Sequence, residues 1–218
     1  MVSPDMDFIH RFIPTENGPP HRVLLLLHGT GGNENDMIPI GRDLDRTAAL
    51  LSLRGNVLEN GMPRFFRRLA EGVFDEADVI RRANELADFL PKAAGQYEFD
   101  LKQLTAVGYS NGANIAAAVM LLRPGTITSA VLLRAMVPLT PASPPDLSGT
   151  RVLICSGKRD PIIPVENATR LAAMLREAGS DVMHRLEDAG HQLVFDEIAA
   201  AKKWLGESRE TEKPSLFR

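Results

Sequence analysis

A serine hydroxyl attacks carbonyl carbon only when a neighbouring base takes its proton and fixed donors hold the charge that develops. Ser110 stands where that chemistry could be built, in Leu104-Thr-Ala-Val-Gly-Tyr-Ser-Asn-Gly-Ala-Asn-Ile-Ala-Ala-Ala-Val-Met-Leu-Leu122. Leu104–Val107 reads as a short apolar strand, Gly108-Tyr109-Ser110-Asn111-Gly112 as a sharp turn, and the Ala-rich run after it as a helix. A hydroxyl lifted out of such a turn needs unusual backbone angles, and its neighbours at −2 and +2 must lack side chains so that strand and helix can approach. Three fixed positions recur easily by chance. The same residues could also open an ordinary helix capped by Ser110 or Asn111. The strand before and the helix after give the pattern its weight.

Partners for Ser110 are expected at later strand ends, because sites in open α/β sheets form at the carboxyl ends of strands. Asp160 lies in Ser156-Gly-Lys-Arg-Asp-Pro-Ile-Ile-Pro164, directly after an apolar strand, where Pro161 and Pro164 stiffen the loop. Taken alone, it is equally an Asp-Pro turn or a surface charge beside Arg159. His191 lies in Glu187-Asp-Ala-Gly-His-Gln-Leu193, between the last strand and the last helix. His10, His21 and His184 are less suitable, lying in the first strand, a surface turn and a strand interior. Glu187 and Asp188 are rival acids, but so close to His191 that the loop would have to fold back on itself.

The oxyanion of a tetrahedral intermediate needs preorganised N–H donors. One would be the amide of Asn111, following the nucleophile. The other is assigned to Thr30, in Leu27-His-Gly-Thr-Gly-Gly-Asn-Glu-Asn35, where Gly29, Gly31 and Gly32 let the backbone come close. This segment, to which His28 belongs, matches neither phosphate-loop spacing, G-x-x-x-x-G-K or G-x-G-x-x-G.

The elements that must position these groups follow from the apolar periodicity. Strands are expected at Phe8–Ile13 (an edge), Arg22–Leu27, Ala48–Leu53, Ser129–Leu133, Arg151–Ser156 and Val182–Leu186, besides the one before Ser110. Helices are expected at about Met37–Asp45, Asp75–Lys92, Val165–Ala178 and Leu193–Leu205, the second burying Ile80, Ala83, Leu86, Ala87 and Leu90. Arg54–Phe74 shows no clear period. Strands alternating with helices predict one α/β domain with a mostly parallel, doubly wound central sheet and helices on both faces. Gly206–Arg218 reads as a frayed tail.

The chain has 218 residues, 44% apolar and 24% charged, with a formal charge of −3 and a pI near 6.0. That charge gives no general attraction to phosphate backbones, so no nucleic-acid partner is expected. Cys155 is the lone cysteine, which permits no internal disulfide and fits a reducing cytoplasm. The acidic start Met1-Val-Ser-Pro-Asp-Met-Asp-Phe8 is not a signal peptide, and Val23–Leu27 and Ile115–Leu122 are too short to span a bilayer, so no stable membrane anchoring is expected.

Together, Leu27-His-Gly-Thr-Gly-Gly, Gly108-Tyr-Ser-Asn-Gly-Ala, Gly157-Lys-Arg-Asp-Pro-Ile-Ile-Pro and Ala189-Gly-His-Gln resemble the phospholipase/carboxylesterase family of α/β-hydrolases. That family includes acyl-protein thioesterases and small bacterial carboxylesterases and is similar to dienelactone hydrolases. Arg54-Gly-Asn-Val-Leu-Glu-Asn-Gly-Met-Pro-Arg-Phe-Phe66 resembles the bacterial branch, and the resemblance runs from about Arg22 to Trp204. It implies an α/β-hydrolase fold without a large lid, Ser110, Asp160 and His191 as a catalytic triad, and Thr30 and Asn111 as the oxyanion hole. The elbow departs from the thioesterase-type G-F-S-Q-G at Tyr109 and Asn111, which bears on protein deacylation and leaves ester hydrolysis untouched. Dienelactone hydrolases use a Cys nucleophile, which this elbow lacks.

The expected activity is hydrolysis of short- to medium-chain carboxylic esters through an acyl-enzyme, without metal or organic cofactor. Met62, Phe65, Phe66, Met136, Val137, Leu139, Ile162 and Ile163 are expected to line the acyl site, any one of them being equally a core residue. A thioesterase or lysophospholipase, an acyltransferase, or a ligand-binding protein on the same fold would share most of these residues. The sequence does not decide between a monomer and a homodimer.

Overall fold

In the computed structural model, which describes residues 8–16 and 18–207, the chain begins with strands β1 (His10–Ile13) and β2 (Val23–Leu27), the short helix α1 (Ile38–Leu44) and strand β3 (Ala49–Leu53). Two hairpins follow, β4 (Val57–Glu59) with β5 (Met62–Arg64) and β6 (Arg68–Ala70) with β7 (Val73–Phe74). Helix α2 (Glu76–Tyr97), strand β8 (Leu104–Tyr109), helix α3 (Asn111–Leu122) and strands β9 (Ser129–Leu133) and β10 (Arg151–Gly157) come next. Helix α4 (Val165–Glu177), strand β11 (Asp181–Glu187) and helix α5 (Phe195–Glu207) complete the described chain. The main sheet has the order β1-β3-β2-β8-β9-β10-β11, with β1 antiparallel to β3 and every other pair parallel.

Side chains alternate across a strand, so an unbroken apolar strand must be covered on both faces. Val23, Leu25 and Leu27 of β2 join one core with α2, α3 and α4, while Leu24 and Leu26 join a second with α1 and α5. Beyond Asn114, helix α3 is apolar all round and almost wholly buried between the sheet and α2, where its alanines allow close approach.

The order of strands determines where a site can form. The chain lays β3 on one side of β2 and β8 on the other, so the loops leaving β2 and β8 diverge and open a crevice. His28 to Gly32 leave one strand there, and Ser110 leaves the other. Among the described residues no lid domain interrupts this framework, and no helix is long and apolar enough to cross a membrane.

Three expectations are corrected. Helix α2 runs beyond Lys92 to Tyr97, with Pro91 inside it. Tertiary contacts carry the last turn: Tyr97 stacks on Phe12, and its hydroxyl lies 2.7 Å from Nε2 of His10. Ile80 is exposed, and the buried stripe starts instead at Val79, one residue or about 100° around the helix. Arg54–Phe74 holds the two hairpins, whose strands are too short to show a period. Gly206 and Glu207 close α5, and the remainder of the expected tail lies outside the described residues.

Candidate active site

Strand β8 ends at Tyr109 and α3 begins at Asn111, so Ser110 alone reverses the chain. Its backbone sits at φ 52° and ψ −113°, a conformation that costs an L-residue on the order of 1–3 kcal/mol. Two hydrogen bonds hold the strain: the Ser110 amide donates to the Leu133 carbonyl at 2.8 Å, and the Asn114 amide donates to the Ser110 carbonyl at 3.0 Å. The flanking glycines are required by contact. A Cβ on Gly112 would stand 2.1 Å from the Leu27 carbonyl oxygen, and one on Gly108 would stand 2.6 Å from Cα of Ala113.

The structure brings Ser110, His191 and Asp160 together. Nε2 of His191 lies 3.0 Å from Oγ of Ser110, and Nδ1 lies 2.8 Å from Oδ2 of Asp160. The Asp160 side chain is only 1% exposed, and its Oδ1 accepts the amides of Ile162 at 2.8 Å and Ile163 at 3.1 Å. The two sequence readings of Asp160 therefore coexist: one oxygen caps its own turn, and the other faces the imidazole. A proton donated from Nδ1 to the carboxylate leaves the Nε2 lone pair facing the serine hydroxyl. Glu187 pairs with Arg185 at 2.9 Å, and Asp188 is an exposed partner of Arg159 at 3.3 Å, so neither rival acid faces His191.

Thr30, in the loop after β2, lines the cleft beside Ser110, and Asn111 follows the serine as the first residue of α3. Among the described residues, neither of their amide N–H groups has an acceptor. His28 braces the loop after β2. Its Nδ1 lies 2.6 Å from the Gly29 carbonyl and its Nε2 accepts the Gly55 amide at 3.0 Å, while burial pulls its pKa below 6.5. It is thus a neutral structural histidine. Oδ1 of Asn111 accepts the Phe65 amide at 2.7 Å, which ties the start of α3 to the hairpin region.

The His191 loop is gripped from beneath, by residues that the sequence reasoning did not single out. Arg134, wholly buried, donates from Nε to the Gly190 carbonyl at 2.9 Å and from Nη2 to the Gln192 carbonyl at 2.7 Å, one on each side of His191. Its charge is met by buried Glu197 at 2.5 Å, and Glu197 also accepts the Val194 amide at 2.7 Å. The Tyr109 hydroxyl donates to the His191 carbonyl at 3.1 Å. The signal available in the sequence was a lone Arg inside the apolar run Leu132-Leu133-Arg134-Ala135-Met136, since a buried charge demands a partner. Arg134→Met is expected to cost about 3–5 kcal/mol in denaturant unfolding by stranding Glu197. Turnover should fall as well, because the His191 loop loses two anchors.

A cleft of about 240 Å³ opens over Ser110 and His191. Of the residues named from the sequence, Met136, Ile162 and Ile163 line this cleft, together with Phe74, Tyr109 and Asn114, and with Arg64 and Arg68, which were not anticipated. Phe65, Phe66, Val137 and Leu139 are corrected: they are packed in the core, because their loops fold down onto the sheet instead of standing over it. Met62 is also corrected. It does not line the cleft; it is exposed and lies beside Gly31. Cys155 is buried in β10, its thiol pushed up to about 12 by burial, and it faces no part of the cleft.

Comparison with known proteins bears on this arrangement. The provisionally named hydrolase MhqD of Bacillus subtilis (strain 168) is 47% identical over 193 residues, covering 88% of this chain and 96% of that protein. A Bacillus cereus carboxylesterase structure superposes with a TM-score of 0.90 at 45% identity, covering 94% of this chain and 96% of the other. A Mesorhizobium loti carboxylesterase does so at 0.88 and 31% identity, covering 94% and 98%. The model of the phospholipase/carboxylesterase family matches residues 9–208, nearly the whole chain. The match spans almost the entire chain, and the chain belongs to the phospholipase/carboxylesterase family of hydrolases.

Proposed function

We propose that the protein is a serine carboxylesterase that hydrolyses short- to medium-chain carboxylic esters through an acyl-enzyme. The observation that carries this reading is the unbroken relay from Ser110 Oγ through both nitrogens of His191 to Asp160, at 3.0 and 2.8 Å. His191 takes the hydroxyl proton as Ser110 adds to the ester carbonyl. The amides of Thr30 and Asn111 receive the oxyanion, and His191 returns the proton to the departing alcohol. Water then repeats the sequence on the acyl-enzyme and releases the acid. Asp160 keeps the imidazole in the required tautomer and stabilises the imidazolium.

The apolar wall of Met136, Ile162, Ile163 and Phe74 suits an acyl chain, and the modest cleft favours short ones. A small-molecule ester acted on in the cytoplasm is part of this proposal. The decisive experiment is covalent labelling with a fluorophosphonate. Labelling at Ser110, with hydrolysis of p-nitrophenyl acetate or butyrate, is the expected result. Absence of labelling would leave a ligand-binding protein on a hydrolase fold. A panel of ester and thioester chain lengths, with and without added alcohols, separates hydrolase from thioesterase and acyltransferase.

A further inference from the structure

Besides its apolar residues, the cleft has a cationic lining whose charge the proposed acyl transfer does not use. Arg64 and Arg68, from the strands on either side of the Phe65–Phe66 bend, both line the cleft beside Ser110. The Arg64 side chain is only 3% exposed, and such a charge persists only where acceptors surround it. Its Nη1 donates to Oγ1 of Thr30 at 2.6 Å, and its Nε donates to the Phe66 carbonyl at 3.1 Å and lies 3.2 Å from Oε2 of Glu59. Arg68, 27% exposed, donates through Nε to Oε1 of the same glutamate at 2.9 Å. One carboxylate therefore serves two guanidinium groups. The cluster carries a net single positive charge.

The remaining donors point to what would complete it. Among the described residues, Nη2 of Arg64 and both terminal nitrogens of Arg68 have no acceptor, and none of them is sealed from solvent. Burial pulls the Arg64 pKa below its usual value; Glu59 counters that effect and Arg68 adds to it. An anion entering the cleft would find forked N–H donors in a partly desolvated setting, where charge-assisted hydrogen bonds are strong.

We propose that this lining is a subsite for an ester carrying a second, ionised carboxylate a few atoms from the scissile carbonyl. The inference rests on the esterase reading and names its substrate class. One carboxylate matches the net charge of the cluster, and its two oxygens match the fork of a guanidinium. The reaction is ordinary hydrolysis: the acyl–oxygen bond breaks, water supplies OH to the acyl group and H to the alcohol, and the second carboxylate is unchanged. That carboxylate can belong to the acyl or the alcohol half, and the substrates must tell these apart.

Two isosteric pairs make the test. Monoethyl succinate against ethyl succinamate places the charge on the acyl side, and acetoxyacetate against acetoxyacetamide places it on the alcohol side. In at least one pair the anion should have a kcat/KM about tenfold or more above its amide, the effect of one charge-assisted hydrogen bond. Arg68→Gln should bring that ratio close to one, and added salt should lower it progressively. Arg68 is the residue to change because Arg64 also anchors Thr30. Amides turned over as fast as the anions in both pairs overturn the proposal. If none of the four esters is hydrolysed, the labelling and p-nitrophenyl ester assays judge the esterase reading, and binding decides the subsite separately. Calorimetry on the Ser110→Ala protein should then show succinate bound, succinamide not, and succinate weakened about tenfold by adding Arg68→Gln. Equal or absent binding of the two ligands overturns the subsite.

Discussion

Ser110→Ala is expected to lower ester hydrolysis roughly a million-fold while the protein folds as before. The change removes one oxygen, and with it both the attacking atom and the acceptor of the acyl group. Nothing nearby can take over: Cys155 is buried with its thiol pushed up to about 12. The residual rate comes from the amides at Thr30 and Asn111 and from binding, which still act on an attacking water. The backbone gives a second readout. Serine and alanine both carry a Cβ that this position holds at a φ of 52°, whereas glycine carries none. Ser110→Gly should therefore be as inactive as Ser110→Ala and more stable by about 1 kcal/mol, the strain released minus the added freedom of the unfolded chain. Both variants lose the same contact with His191, so their difference isolates the elbow. Steady-state assays with p-nitrophenyl butyrate and paired denaturant titrations measure the two effects. A Ser110→Ala protein with near-native activity would remove the nucleophile from the mechanism.

The residues that could be read from the sequence are those whose role is imposed by local rules. Val23–Leu27 had to be a strand covered on both faces, and Ser110 between Gly108 and Gly112 had to be a tight turn. Asp160 and His191 stood out because each follows a strand at the sheet edge where a site forms. What stayed illegible depends on contacts between distant segments. Hydrophobicity alone could not separate Met136 and Ile163, which line the cleft, from Phe65 and Leu139, which fill the core. The hairpins after Arg54 form because tertiary bonds hold them, such as the Gly31 amide to the Pro63 carbonyl at 2.9 Å and the Phe65 amide to Asn111 at 2.7 Å. The last turn of α2, beyond Lys92, is held by Tyr97 against Phe12 and His10, contacts that no local pattern shows. Arg134 and Glu197 lie 63 positions apart, and only the folded chain shows that their pairing supports His191.

That support sharpens the expectation for Asp160→Asn, which should reduce turnover by about four orders of magnitude with little change in fold. An asparagine fits the same space, and the question is which atom faces the imidazole. The amides of Ile162 and Ile163 both point at Oδ1, so the oxygen of the new side chain is retained there and its NH2 group turns toward Nδ1 of His191. Two donors would then face each other unless the imidazole moves its proton to Nε2. The loop that carries the ring cannot shift to relieve this, because Arg134 and Tyr109 hold the carbonyls of residues 190, 191 and 192. With Nε2 protonated, no lone pair is left to accept the Ser110 hydroxyl proton, and attack fails although every atom is near its place. The loss should appear in kcat, with KM changed far less, since the cleft wall is untouched. Glu187→Gln and Asp188→Asn serve as controls, expected to stay within about twofold of the parent because their carboxylates pair with Arg185 and Arg159 instead of His191. A large loss in either control alongside an active Asp160→Asn protein would transfer the role of the acid.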